Sequence, residues 1–157
     1  MAQTDRRDSP ENTEQMMLMV GSAAAILGYV MPAVVFKGSG NAVHDLSIIE
    51  KLPLLSAIAA LALVAAIATR FVAGWQRWAE QASVIAILLI LAPAVWGFAA
   101  AIDVFSSLRP MIVEMAGTRN VRIDPGPAYV PLLVGATMLG MSLRMRRQRL
   151  AGTGARA

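Results

Sequence analysis

Cysteine is absent from the sequence, which excludes disulfides, thiolate metal sites and thiol redox chemistry, including the quinone-linked disulfide oxidases whose four-helix size would otherwise fit. Histidine occurs once, at His44, so haem ligation between helices is excluded as well. Lysine is nearly absent, with Arg supplying all but Lys37 and Lys51 of the 14 basic residues. Charge is missing altogether from four long apolar runs, and ionisable groups in such runs are the usual carriers of transport chemistry. Small multidrug exporters need a membrane-embedded Glu, and lipoprotein signal peptidases need paired Asp with Asn and Ala around them. Neither pattern is found. No nucleophile, base and orienter converge on a plausible site, so the chain is expected not to be an enzyme and to carry no cofactor.

What is present is apolar surface. Hydrophobic residues make up 57% of the 157 positions and the mean hydropathy is +0.58, above the composition of soluble domains. The runs are Met16 to Phe36, Leu52 to Thr69, Ala82 to Ile102 and Ala128 to Leu143. At 1.5 Å per residue the first covers about 32 Å and the second about 27 Å, matching a bilayer core. The fourth, about 24 Å, is marginal on length alone. The expected fold class is all-α: an integral membrane four-helix transmembrane bundle with a short amphipathic segment in the third connection. The expected organisation is a cytoplasmic tail over 1–15, a transmembrane domain over 16–147 with spans at 16–36, 52–69, 82–102 and 128–143, and a disordered basic tail over 148–157. The start carries four acids in place of a basic n-region, so the first helix is expected to stay attached.

Charge asymmetry sets the orientation. Four crossings place nine basic residues on the side of the termini and five on the other, and the basic side is the cytoplasmic one. Phe71, Trp75 and Trp78 lie beside Arg70 and Arg77, the mixture found at headgroup depth. Arg70, Trp75, Arg77, Trp78, Arg144, Arg146 and Arg147 are therefore expected to be interface anchors, with Arg70 snorkelling from the end of the second span. A basic juxtamembrane tail is attracted to an anionic leaflet, so the pI of about 10.3 implies the lipid bilayer as partner and not nucleic acid. Arg in place of Lys, with abundant Ala, points to a GC-rich bacterial genome and the inner membrane.

Small residues recur four apart within the runs: Gly21 and Ala25, Ala24 and Gly28, Ser56 and Ala60, Gly97 and Ala101, Ala136 and Gly140. Such spacing lets helix backbones approach closely. Pro93 is expected to kink the third helix by removing one backbone hydrogen bond. Asp103, one residue past that run, reads as an interfacial carboxylate. In the first outer loop His44, Asp45 and Glu50 form a poor ligand set for a metal, and Gly38 to Asn41 read as a turn before Pro53 opens the second helix.

The connection from Asp103 to Pro127 carries Leu108, Met111, Ile112 and Met115 at the i, i+3, i+4, i+7 positions of an amphipathic helix, with Arg109 and Glu114 off the stripe. This segment is expected to lie on the membrane surface or across the outer end. A Met-bearing apolar stripe suits partner docking. It equally suits covering the chain's own bundle.

The stretches GYVMPAVVFKGSGNAVHDL and DPGPAYVPLLVGATMLG resemble those of small, uncharacterised four-helix proteins of bacterial inner membranes, in which a Pro near the outer end of the first helix precedes a Gly/Ser loop. The resemblance covers about a quarter of the chain and implies topology alone. The expected function is a non-enzymatic accessory, assembly or protective subunit that binds another membrane protein, or itself, through Leu108, Met111, Ile112 and Met115. The alternative is a channel or transporter subunit formed by oligomerisation, for which the runs lack a polar lining.

Overall fold

The computed structural model describes residues 10–37, 44–72, 74–117, 120 and 122–154. They are mostly helical: α1 (Pro10–Val30), α2 (Ile48–Lys51), α3 (Pro53–Phe71), α4 (Ala79–Ala116) and α5 (Tyr129–Gly154), with a 3-10 turn at Gln76–Trp78. The described residues also include three short strands, β1 (Pro32–Lys37), β2 (Leu46–Ser47) and β3 (Arg122–Pro125), in the sheet order β2-β1-β3. Two helical stretches, Pro53–Phe71 and Gln76–Gly97, are long and apolar enough to cross a membrane.

The sheet corrects the all-α expectation, and its cause is local. The run Met16 to Phe36 does not continue as one helix, because Pro32 crowds the backbone of Met31 and moves it out of the helical region. Val34, Val35 and Phe36 then supply β-branched and aromatic side chains that favour extended backbone. β1 pairs antiparallel with β3 in the register Val34↔Pro125, Val35↔Asp124, Phe36↔Ile123 and Lys37↔Arg122. The segments that form the α1/α5 helix pair thus stay side by side as a β ladder beyond it. Gly126 N–H donates to Ala33 O at 2.9 Å and Ala128 N–H to Pro32 O at 3.1 Å, carrying the ladder to the start of α5. A Cβ on Gly126 would run into the Pro32 carbonyl, so this approach requires glycine.

The expected amphipathic segment is likewise not a separate element. Helix α4 runs unbroken for 38 residues, about 57 Å, through Asp103 and the Leu108–Met115 stripe. No glycine intervenes between Gly97 and Gly117, and Leu, Met and Glu are good helix formers, so the helix continues although Pro110 lies inside it. The helix stops at Gly117, whose φ of 66° puts it in the left-handed conformation of a helix C-cap. Ahead of α3, Ser47 caps α2 by accepting from Glu50 N–H at 3.3 Å, while Glu50 accepts from Ser47 N–H at 2.9 Å.

The four long helices pack antiparallel to their chain neighbours around one core that includes Leu18, Tyr29, Leu63, Ile90, Leu132 and Leu139. The closest approach is between α1 and α5. A Cβ on Gly135 would lie 2.8 Å from Gly21 O and 2.9 Å from Ala25 N, and one on Gly28 would lie 2.5 Å from Leu132 Cγ. Glycine therefore brings these backbones together in the manner of small-residue helix seams. Gly21, Ala25 and Gly28 are part of that seam as their spacing predicts, whereas a Cβ on Gly140 meets nothing within 4 Å among the described residues.

Pro93 lies within α4 and has no N–H to give the Leu89 carbonyl four residues back. The Tyr29 hydroxyl supplies the missing donor, reaching Leu89 O at 2.6 Å from α1. A buried tyrosine needs a partner for its hydroxyl, and a proline-freed carbonyl needs a donor. The two requirements cancel here and tie α1 to α4.

Candidate functional site

Two surfaces gather polar or unusual side chains, one at each end of the helices. The end opposite the sheet is built around a buried ion pair between Glu14 of α1 and Arg70 of α3, whose side chains are only 5% and 4% exposed. Burial of both follows from helical periodicity. On α1 the covered residues include Glu14, Leu18, Ser22, Ala25 and Tyr29, and on α3 they include Ser56, Ala59, Leu63, Ala66 and Arg70, series spaced three or four apart. The other helices complete the node. Arg70 Nη2 donates to Ser83 Oγ of α4 at 3.2 Å, Ser142 Oγ of α5 donates to Glu14 O at 3.1 Å, and Arg149 of α5 reaches Glu14 Oε2 at 3.0 Å. Arg70 Nε is buried with no hydrogen-bond partner among the described residues.

Around this node the C-terminal turns of α5 are held by exposed contacts. Arg147 pairs with Glu80, Arg149 lies 3.6 Å from Glu11, and Arg146 donates to the Gln76 carbonyl at 2.5 Å. The Arg77 guanidinium lies 5.5 Å from the centre of the Trp78 ring, a cation–π distance. Of the expected anchors, Trp75, Arg77, Trp78, Arg144 and Arg147 are exposed and Arg146 is half-buried. Arg70 differs: it turns inward to Glu14 instead of outward along the helix end. Glu14, Ser83, Ser142 and Arg149 had no place in the sequence reading. Hydropathy ends a run at its first charge, whereas the four-residue spacing back from Leu18 and on from Ala66 leads to Glu14 and Arg70.

At the sheet end, α4 projects past its apolar run. Leu108, Met111 and Met115 are exposed, at 47%, 61% and 59%, while Ile112 is buried at 7%. Ile112 lies 22 residues after the buried Ile90, six helical turns on, and so returns to the inward face. The expected stripe therefore divides into three outward residues and one inward. Phe105, a turn earlier, sets its ring 5.9 Å from that of Phe36 on β1, joining the projecting helix to the sheet. Lys37 bridges to Asp124 at 2.7 Å across the β1–β3 ladder and holds that carboxyl below the usual carboxylate range, with Arg122 adding to the effect.

His44, Asp45 and Glu50 are not brought together. Asp45 accepts from the Phe36 N–H at 3.1 Å, Glu50 is engaged in the α2 capping box, and His44 is exposed. The Ser47 backbone and side chain lower the Glu50 pKa by hydrogen bonding its charged form. Gly38 to Asn41 lie outside the described residues. Comparison with known proteins finds no matching family model, and no match among curated proteins or solved structures.

Proposed function

We propose that this chain is a polytopic bacterial inner-membrane protein of four crossings with both termini cytoplasmic. We further propose that it acts as a non-enzymatic accessory, assembly or protective subunit, holding another membrane protein at its sheet end. Support for the membrane setting comes from burial. Only 28% and 25% of the two long apolar stretches are covered by protein, where the core helix of a soluble protein would be mostly covered. The outward faces of α1 and α5 match them, with Met16, Ile26 and Leu27 exposed on one and Val130, Leu133 and Met141 on the other. An exterior of this kind is stable in lipid and a liability in water.

The observation that carries the partner-binding role is the projection of α4. Its last turns hold Leu108, Met111 and Met115 outward on a continuous rigid helix, braced against the sheet through Phe105 and Phe36. Helix-borne, adaptable apolar side chains are suited to docking a second protein. The test is Met111→Asp with Met115→Asp, leaving the inward Ile112 untouched. Partner capture from solubilised membranes is expected to be lost while insertion and yield stay at wild-type level; undiminished capture would overturn the assignment.

A further inference from the structure

We propose that the end opposite the sheet binds the phosphate headgroup of an anionic phospholipid, on the surface made by Arg77, Arg146 and Arg147 beside Trp75 and Trp78. The proposal rests on the membrane reading above and goes beyond it by naming a lipid class and a place.

Charge balance is the first argument. Among the described residues this end collects six cations, Arg70, Arg77, Arg144, Arg146, Arg147 and Arg149, against three carboxylates, Glu11, Glu14 and Glu80. The pairing is unequal. Glu14 faces inward to Arg70 and Arg149 and is covered, leaving Glu80 beside Arg147 and Glu11 beside Arg149 as the carboxylates among the outer arginines. The surface therefore keeps a positive surplus with the node neutralised beneath it.

Geometry is the second argument. The hydrogen bond from Arg146 to the Gln76 carbonyl brings α5 against the 3-10 turn whose neighbouring residues are Trp75, Arg77 and Trp78, and Arg147 meets Glu80 two residues after it. Trp75 and Trp78 are 55% and 53% exposed, the disposition of indoles that sit between headgroups and acyl chains. Guanidinium groups bind phosphate oxygens in a planar fork that an ammonium cannot reproduce, and every cation here is Arg.

Exchange is the third argument. Arg147 and Glu80 have side chains 60% and 46% exposed, and ion pairs of that kind are weak and screened. A phosphodiester held among several arginines at an anionic leaflet competes with such a pair on equal terms. Arg70, with a 4% exposed side chain, is not available for exchange and keeps the helices in place while the outer arginines turn to lipid.

The protein itself provides the probes, since Trp75 and Trp78 lie at this surface and Trp96 lies exposed within the apolar part of α4. Full-length protein is reconstituted into vesicles containing brominated phosphatidylglycerol or brominated phosphatidylcholine, and tryptophan quenching is read in W96F and in W75F/W78F. In W96F, phosphatidylglycerol is expected to be preferred about fivefold over phosphatidylcholine, the worth of roughly one arginine at an anionic surface. In W75F/W78F the two lipids should quench Trp96 equally. Adding R146Q and R147Q to W96F should abolish the preference, and a preference that survives them overturns the assignment to these residues. Should that variant fail to fold, the comparison of the two lipids in W96F alone still decides. Equal quenching there, with Trp96 still quenched in W75F/W78F, overturns the lipid site and leaves the membrane reading standing. Absence of quenching at Trp96 by either lipid overturns the membrane reading itself.

Discussion

Glu14 and Arg70 neutralise one another where neither can reach water, so removing either strands the other. Glu14→Leu leaves a buried guanidinium whose remaining side-chain partner is Ser83, while Arg70→Met leaves Glu14 with Arg149 at 3.0 Å. Breaking a buried pair from one side costs about 3–5 kcal/mol, and replacing both partners with apolar side chains of similar volume is often neutral. Glu14→Leu is therefore expected to destabilise the bundle by about 3–5 kcal/mol in detergent unfolding followed by circular dichroism. Arg70→Met should cost less, and the double variant should recover most of the loss. If the double variant is as unstable as Glu14→Leu alone, the two residues do not act as a pair. The sequence reading has Arg70 snorkelling outward and Glu14 in the tail; the stripe spacing leads to both positions, but their mutual contact, 56 positions apart in sequence, leaves no such sign.

At the level of elements, the α1/α5 seam tests whether backbone proximity or mere smallness matters. Gly135 and Gly140 both lie in α5, five residues apart; Gly140 has the small Ala136 four residues before it, whereas Gly135 has Pro131 and Leu139 at that spacing. Only Gly135 faces the α1 backbone closely, so Gly135→Ala is expected to force the helices apart at a cost of about 1–3 kcal/mol. Gly140→Ala, in open space, should instead gain up to about 1 kcal/mol of helix propensity. Opposite shifts in melting temperature by dye-monitored thermal unfolding would support the seam, and equal shifts would sink it. Sequence spacing marks Gly140 and passes over Gly135, the glycine that lies in the seam, because the helical phase relative to the partner is a tertiary property. The same limit hides the sheet. Ala33 to Phe36 is a short apolar stretch that periodicity cannot assign to helix or strand, and it abuts a helical run of like composition. β3 lies in a region dense with Pro and Gly that reads as turn. Helix α4 was legible in its apolar part and in its amphipathic part. Their fusion into one helix runs through Pro93 and Pro110, the residues at which the sequence would have placed a break.

For the molecule as a whole, the remaining question is how many helices cross. α3 and the first part of α4 suffice in length, but the apolar parts of α1 and α5, Met16–Val30 and Tyr129–Leu143, extend only about 22 Å each. Three features favour their crossing despite this. They pack against each other glycine to backbone through the same layer that α3 and α4 occupy; Arg70 and Glu14 close one end as a neutral pair; and the β1–β3 ladder satisfies its own backbone hydrogen bonds where the helices stop at the other. A short hydrophobic length is tolerated by local thinning of the bilayer at a fraction of a kcal/mol per Å. The absence of cysteine makes the test clean, since any cysteine introduced is the sole labelling site. Glu114→Cys, on the α4 projection, and Gln148→Cys, on the last turns of α5, are both exposed positions. With four crossings, a membrane-impermeant maleimide added to intact spheroplasts labels position 114 and reaches position 148 only after lysis. If α1 and α5 instead lie along one surface, both positions fall on the same side and label together. That outcome would remove the topology on which the accessory-subunit and lipid-headgroup proposals both stand.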